Sequence, residues 1–169
     1  SVGGRHGARS YTPREDGLVV VRQRLQQYAD RGVFRGLTEE SPWRGRHRFK
    51  FLWLANTAFR LHYSPQSGEF IFRDLLPNVQ VHSDVGKDLR GFLKRLTRKD
   101  VPEHRRIDPR RIDVRSYVRR GVFSIAVTAK KNQHGYAVQR SVNLIHEVFV
   151  RLHTYFPEYM WENFDAPQE

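Results

Sequence analysis

In the run Arg46-His47-Arg48-Phe49-Lys50-Phe51-Leu52-Trp53, cationic and aromatic side chains alternate almost one for one. Strict alternation puts Arg46, Arg48 and Lys50 on one face of a strand and His47, Phe49, Phe51 and Trp53 on the other. Thr57 to Tyr63 repeats the pattern, with Phe59, Leu61 and Tyr63 opposite Arg60 and His62. Cations interleaved with aromatics are the chemistry of single-stranded nucleic-acid binding: the cations follow the phosphates and the rings stack bases, at about 1–3 kcal/mol per base. If the strands pair in register, Arg46, Arg48, Lys50, Arg60, Arg73, Arg115 and Arg119 line one broad surface, with Lys130 and Lys131 at its edge. Phe49, Phe51, Phe59, Phe70, Phe72 and Phe123 are expected in the core. Tyr117 shares a strand face with Arg115 and Arg119, and Trp53 stays open between core and surface.

Catalytic chemistry finds no such support. With no cysteine, the chain has no thiolate nucleophile, disulfide or thiolate metal site. Its eight histidines form no HExxH motif, and no phosphate-cradling GxGxxG or GxxxxGK[ST] loop occurs. His146-Glu147, with His153 seven residues on, reads as surface or satisfied histidine. Asp108 and Asp113 read as charge partners for arginine. The expectation is a protein that is not an enzyme and uses no cofactor or metal.

The charge balance points to a polyanionic partner. Among 169 residues, 30 Lys and Arg stand against 18 Asp and Glu, a formal charge of +12. Between Arg90 and Arg120, twelve basic residues face four acids, whereas the stretch from Pro157 to Glu169 carries acids alone. Concentrated charge of this kind reads as a binding surface. The length suits one domain, and no apolar run reaches the 18 residues of a membrane span. The segment Ser1 to Arg14 is Arg- and Ser-rich and free of acids, the composition of a mitochondrial transit peptide, or equally of a plain flexible leader.

These residues need elements to position them. Val19, Val20, Leu25 and Tyr28 predict a helix over 16–31, ended by Gly32 and Gly36, with a turn at Ser41-Pro42. Strand 46–53 precedes a hairpin over 57–74, turned at Ser64 to Gly68, and a short strand is expected over 79–81. Ser83-Asp84 offers an N-cap to a helix whose stripe is Val85, Leu89, Phe92, Leu93 and Leu96. Pro102 and Pro109 bracket a basic loop. Strands 112–119 and 122–130 follow, joined at Arg120-Gly121, then a short strand over 136–139. A last helix carries Val142, Ile145, Phe149, Leu152 and Phe156 behind a Ser141 cap, and Pro157 ends or kinks it. The order suggests an α+β domain of two similar halves, near 43–98 and 106–165. Helix, three strands, helix, two strands, helix is a second parse, and it suits a protein-binding module: a secretion-chaperone-like domain or a subunit of a ribonucleoprotein.

The run Leu61-His62-Tyr63-Ser64-Pro65-Gln66-Ser67-Gly68, the stretch from Val79 to Leu96, Gly121-Val122-Phe123-Ser124-Ile125-Ala126-Val127, and Leu144 to Phe164 resemble strands and helices of the Whirly family. The Lys-Gly-Lys strand motif of its plant members is missing, with Arg44-Gly45-Arg46 a loose counterpart. The resemblance implies two antiparallel four-stranded sheets, each followed by a helix (ββββα repeated), over residues 43–165. Residues 1–42 form a basic leader with a helical or extended segment, and 166–169 a tail. The Arg-rich composition and leader resemble most the kinetoplastid mitochondrial RNA-binding proteins. That likeness implies a tetramer of two related subunits that binds single-stranded RNA and anneals guide RNA to messenger RNA during editing. The expected RNA contacts are Arg44, Arg46, Arg48, Lys50, Arg60, Arg73, Arg115, Tyr117, Arg119, Arg120, Lys130 and Lys131.

Overall fold

Six antiparallel strands in the order β1-β2-β3-β4-β6-β5 make one sheet. The computed structural model describes residues 13–54 and 56–165. The acid-free leader, up to residue 12, and the 166–169 tail lie outside them. The elements are α1 (Pro13–Asp30), β1 (Arg35–Trp43), β2 (Arg46–Trp53), β3 (Thr57–Ser64), β4 (Glu69–Leu76), α2 (Asp84–Arg95), β5 (Ile112–Arg119), β6 (Val122–Ala129), α3 (His134–Tyr155) and α4 (Pro157–Phe164). The class is α+β. No helix among the described residues is long and apolar enough to cross a membrane.

Alternation decides which face is buried. Phe49, Phe51 and Trp53 of β2 point the same way as Phe59, Leu61 and Tyr63 of β3, because Phe49 pairs with Leu61 and Phe51 with Phe59. Phe70 and Phe72 of β4 and Phe123, Ile125 and Val127 of β6 continue that face, as do Ile112, Val114 and Val118 of β5. All but the partly buried Val114 and Val118 lie in one core cluster with Val21 and Leu25 of α1, Leu89 and Leu93 of α2, Val142, Ile145 and Phe149 of α3, and Phe164 of α4. Phe149 meets Trp53 edge-on at 5.3 Å and Phe59 at 5.4 Å. Tyr63 hydrogen-bonds His134 Nδ1 at 2.5 Å, tying β3 to α3; burial raises its phenol pKa. Trp53 is thereby a core residue. The helices cover this face, and among the described residues none covers the other.

Two hairpins set the register at the ends of the sheet. Arg44 and Gly45 both take positive φ (51° and 75°), as do Arg120 and Gly121 (54° and 74°). Such two-residue turns match the right-handed twist of the flanking strands. Ser83 caps α2 as expected, its Oγ accepting from Gly86 N at 3.1 Å. Ser83→Ala is expected to lower stability by about 1 kcal/mol, read as a lower urea midpoint at unchanged m-value.

Three expectations need correction. The described residues form one six-stranded sheet, where two four-stranded sheets were expected. The chain runs ββββα once and then only ββα, with the additional strand β1 lying at 35–43, earlier than expected. Residues 79–81 form no strand; Val79 is buried and donates a single backbone hydrogen bond to Gly121 O at 2.7 Å. Residues 136–139 are helical, because α3 starts at His134, and Ser141 is a buried mid-helix residue, not a cap. The order helix, four strands, helix, two strands, two helices is that of the second parse with one strand and the short α4 more.

Candidate nucleic-acid interface

The open face collects the outward positions of all six strands. Register places Arg35, Thr38, Glu40 and Trp43 of β1 there with Arg46, Arg48 and Lys50 of β2. Arg60 and His62 of β3 join them, followed by Glu69, Ile71 and Arg73 of β4. Beyond β6 come Asp113, Arg115, Tyr117 and Arg119 of β5. Eight Lys and Arg thus share the face with three carboxylates. The seven strand cations expected on one surface are all on it, together with Tyr117.

They are not equivalent. Glu69 is gripped from both sides, by Arg46 Nη2 at 2.7 Å and Arg115 Nη2 at 2.6 Å. Burial opposes its ionisation, but the hydrogen bonds from Arg46 and Arg115 prevail and hold its carboxyl below the usual range. Arg60 pairs with Glu40 at 2.9 Å, and Arg48 Nε donates to Ser41 O at 2.8 Å. Among the described residues, no carboxylate pairs with Lys50, Arg73, Arg119 or Arg120. Arg73, Asp74, Tyr117, Arg119, Arg120 and Val122 line a shallow depression of about 340 Å³ at this end of the sheet.

Trp43 completes the surface, and the sequence reading missed it. Its side chain is 43% exposed, with the Arg44 guanidinium 4.7 Å and that of Arg73 5.9 Å from its ring. The signal was present: across the two-residue turn at Arg44-Gly45, position 43 pairs with 46 and inherits the face of the basic row. On the far side, Arg115 lies 5.9 Å from the Tyr117 ring. A strip Arg44–Trp43–Arg73–Tyr117–Arg119–Arg120 crosses the sheet over about 24 Å, five strand spacings of roughly 4.8 Å. Cations without a carboxylate partner among the described residues and partly exposed rings therefore lie side by side.

The remaining expected contacts fall elsewhere. Lys130 donates to Pro109 O at 2.9 Å, at the end of β6 opposite the Arg120 turn, and Lys131 follows it into solvent. Of the twelve cations between Arg90 and Arg120, Arg115, Arg119 and Arg120 belong to the open face. The connection from α2 to β5 packs on the helical side instead, where Arg105 pairs with Glu147 at 3.0 Å, Arg106 donates to Val101 O and Arg111 stacks on Tyr136 at 3.7 Å. Among the described residues no three His, Asp or Glu side chains gather as a metal site.

Exchanging aromatics separates binding from folding. Trp43→Ala is expected to leave stability, read from the urea midpoint at unchanged m-value, within about 0.5 kcal/mol of wild type while weakening single-strand affinity by about 1–3 kcal/mol. Trp53→Ala, in the core, is expected to lower stability by about 3–5 kcal/mol. Equal effects of the two on affinity per folded molecule would remove Trp43 from the site. No family model, curated protein or solved structure matches this chain.

Proposed function

We propose that this protein binds single-stranded RNA across the open face of its sheet, without sequence preference, and brings RNA strands together for pairing. The observation that carries the reading is the strip in which Arg73, Arg119 and Arg120, with no carboxylate partner among the described residues, lie with the exposed Trp43 and the half-buried Tyr117. Phosphate contacts supply affinity without sequence information, and the rings favour unpaired bases. In its finer form the reading is a mitochondrial guide-RNA annealing protein of Whirly type, acting as a tetramer with a related subunit. That form rests on the sequence resemblance and the acid-free leader. The order ββββα over β1–α2 supports it, and the two strands of the second half do not. No step needs a nucleophile, metal or cofactor.

Fluorescence anisotropy with a labelled single-stranded RNA, the matching DNA and a duplex, at two salt concentrations, tests this. The expected result is tighter binding of single strands than of duplex, with affinity falling steeply as salt rises. Absence of binding at low salt would refute it. A second reading, a protein-binding module, draws on the observed element order and on Val150, Tyr155 and Trp161, which stay exposed on α3 and α4. It predicts salt-insensitive association with a protein and no RNA affinity.

A further inference from the structure

His62 is only 6% exposed, although it lies on the face that none of the described helices covers. Register explains the cover. His62 sits between Arg48 of β2 and Ile71 of β4. The row on one side of it begins with the Trp43–Arg46 pair, and the row on the other holds Lys50, Arg60 and Arg73. The Trp43 ring on β1 and the Arg73 guanidinium on β4 approach to 5.9 Å from opposite sides. The line joining them therefore crosses the row of His62. In these rows, His62 Nδ1 and Arg46 Nη1 are buried and have no hydrogen-bond partner among the described residues. Buried polar atoms left unpaired cost about 1–3 kcal/mol each, and both carboxylates nearby, Glu69 and Glu40, are held by arginines. An anion with two free oxygens satisfies both atoms at once.

We propose that the Trp43–Arg73 bridge covers a phosphate pocket, in which His62 Nδ1, Arg46 Nη1 and the Arg73 guanidinium hold one phosphodiester of a bound strand once Trp43 turns from Arg73 to stack on a base. This rests on the RNA reading and gives it a regulated centre. Burial, then the charges of Arg73, Arg48, Arg46 and Arg60, push the His62 pKa below its ordinary value, so the His62 imidazole of the free protein is neutral at physiological pH. Arg46 and Arg48 face His62 from β2, Arg60 from its own strand, Arg73 and Glu69 from β4 and Glu40 from β1. Of these residue types only histidine has an ordinary pKa between pH 5 and 8. A bound phosphate reverses the penalty on the charged imidazole, so the complex takes up a proton and affinity rises as pH falls.

The test follows the His62 imidazole by NMR through a pH titration of the whole protein, alone, with inorganic phosphate, and with a short oligouridylate. The expected result is a raised His62 pKa with either ligand, each unit matching about a tenfold gain in affinity at acid pH. His62→Phe, which removes both ring nitrogens, is expected to weaken RNA binding and to lose the part of the gain at acid pH that His62 supplies. A His62 titration unchanged by both ligands overturns the pocket. Salt-sensitive RNA binding with that unchanged titration overturns the pocket and leaves the RNA reading standing. A pKa raised by phosphate with no RNA binding keeps the pocket and ends the RNA reading.

Discussion

Replacing Arg73, Arg119 and Arg120 together by glutamate is expected to weaken single-stranded RNA binding by about 100-fold or more at 0.1 M salt, and to lower the salt slope by about two, three contacts at roughly 0.7 each. The three side chains have no carboxylate partner among the described residues, so their loss breaks no ion pair in the fold. Arg120 already sits at positive φ in the β5–β6 turn, a strain that glutamate shares, and thermal stability is expected to hold. The control is the triple reversal of Lys94, Arg95 and Lys99, exposed cations of α2 and the loop after it. It changes net charge by the same amount on the helical side. Loss confined to the first variant assigns binding to the open face; equal losses in both would reduce the effect to the overall field of the protein and remove the site.

The set Arg46, Arg48 and Lys50 looks equivalent in sequence and is not. Reversing Arg46 places a carboxylate beside Glu69, and reversing Arg48 abandons the Ser41 carbonyl. Such a variant loses binding and local order together, so it cannot tell a phosphate contact from a brace. The ion pairs make the difference: a cation already bound to glutamate has fewer donors left for a phosphate and braces the fold as well, whereas Arg73 gives up only a cation–π contact to Trp43, worth about 0.5–1 kcal/mol at an exposed site.

What could be read in the sequence follows from range. Strands β2 to β4 were legible because a period of two needs only neighbours, and the turns at Ser64 to Gly68 and at Arg120-Gly121 carry their own chemistry. The face shared by Arg46, Arg60, Arg73 and Arg115 followed from parity once the strands paired in register. Strand β1 was hidden because most of its residues are exposed on both faces at the sheet edge, which erases the alternation. The start of α3 was misread because Tyr136, Ala137 and Val138 suit a short strand, and the tertiary contacts of Ala137 and Val138 overrode that preference. The basic stretch from Arg90 to Arg120 misled for a different reason. A window of sequence adds charges that the fold then sends to opposite sides, and ion pairs such as Arg105–Glu147 depend on residues 42 positions apart.

The site exists only while this register holds, and Gly68 is where a single methyl group is expected to damage it most. A Cβ there would lie 2.6 Å from the Ala129 carbonyl oxygen, and φ is +75°. The approach cannot relax cheaply, because Gly68 N donates to Ser64 O at 2.8 Å and Gly68 O accepts from Ala129 N at 2.8 Å. Those bonds close the β3–β4 turn and fasten it to the end of β6. Gly45, at the same φ of +75°, has nothing within 4 Å of the added carbon, so the pair separates backbone strain from collision. Gly45→Ala is expected to cost about 1 kcal/mol, the strain alone; Gly68→Ala is expected to cost about 3 kcal/mol or more, a large share of the roughly 5–15 kcal/mol that holds a domain together. Urea midpoints at constant m-value measure both. Gly68→Asn, which tolerates positive φ but keeps the Cβ, is expected to fall with Gly68→Ala. Its recovery to the Gly45→Ala level would mean that the β6 carbonyl yields and that the β4–β6 junction is softer than its hydrogen bonds imply. A one-residue slip at that junction would turn β5 and β6 over relative to β4, carrying Tyr117 and Arg119 off the face that holds Arg73 and dividing the strip in two.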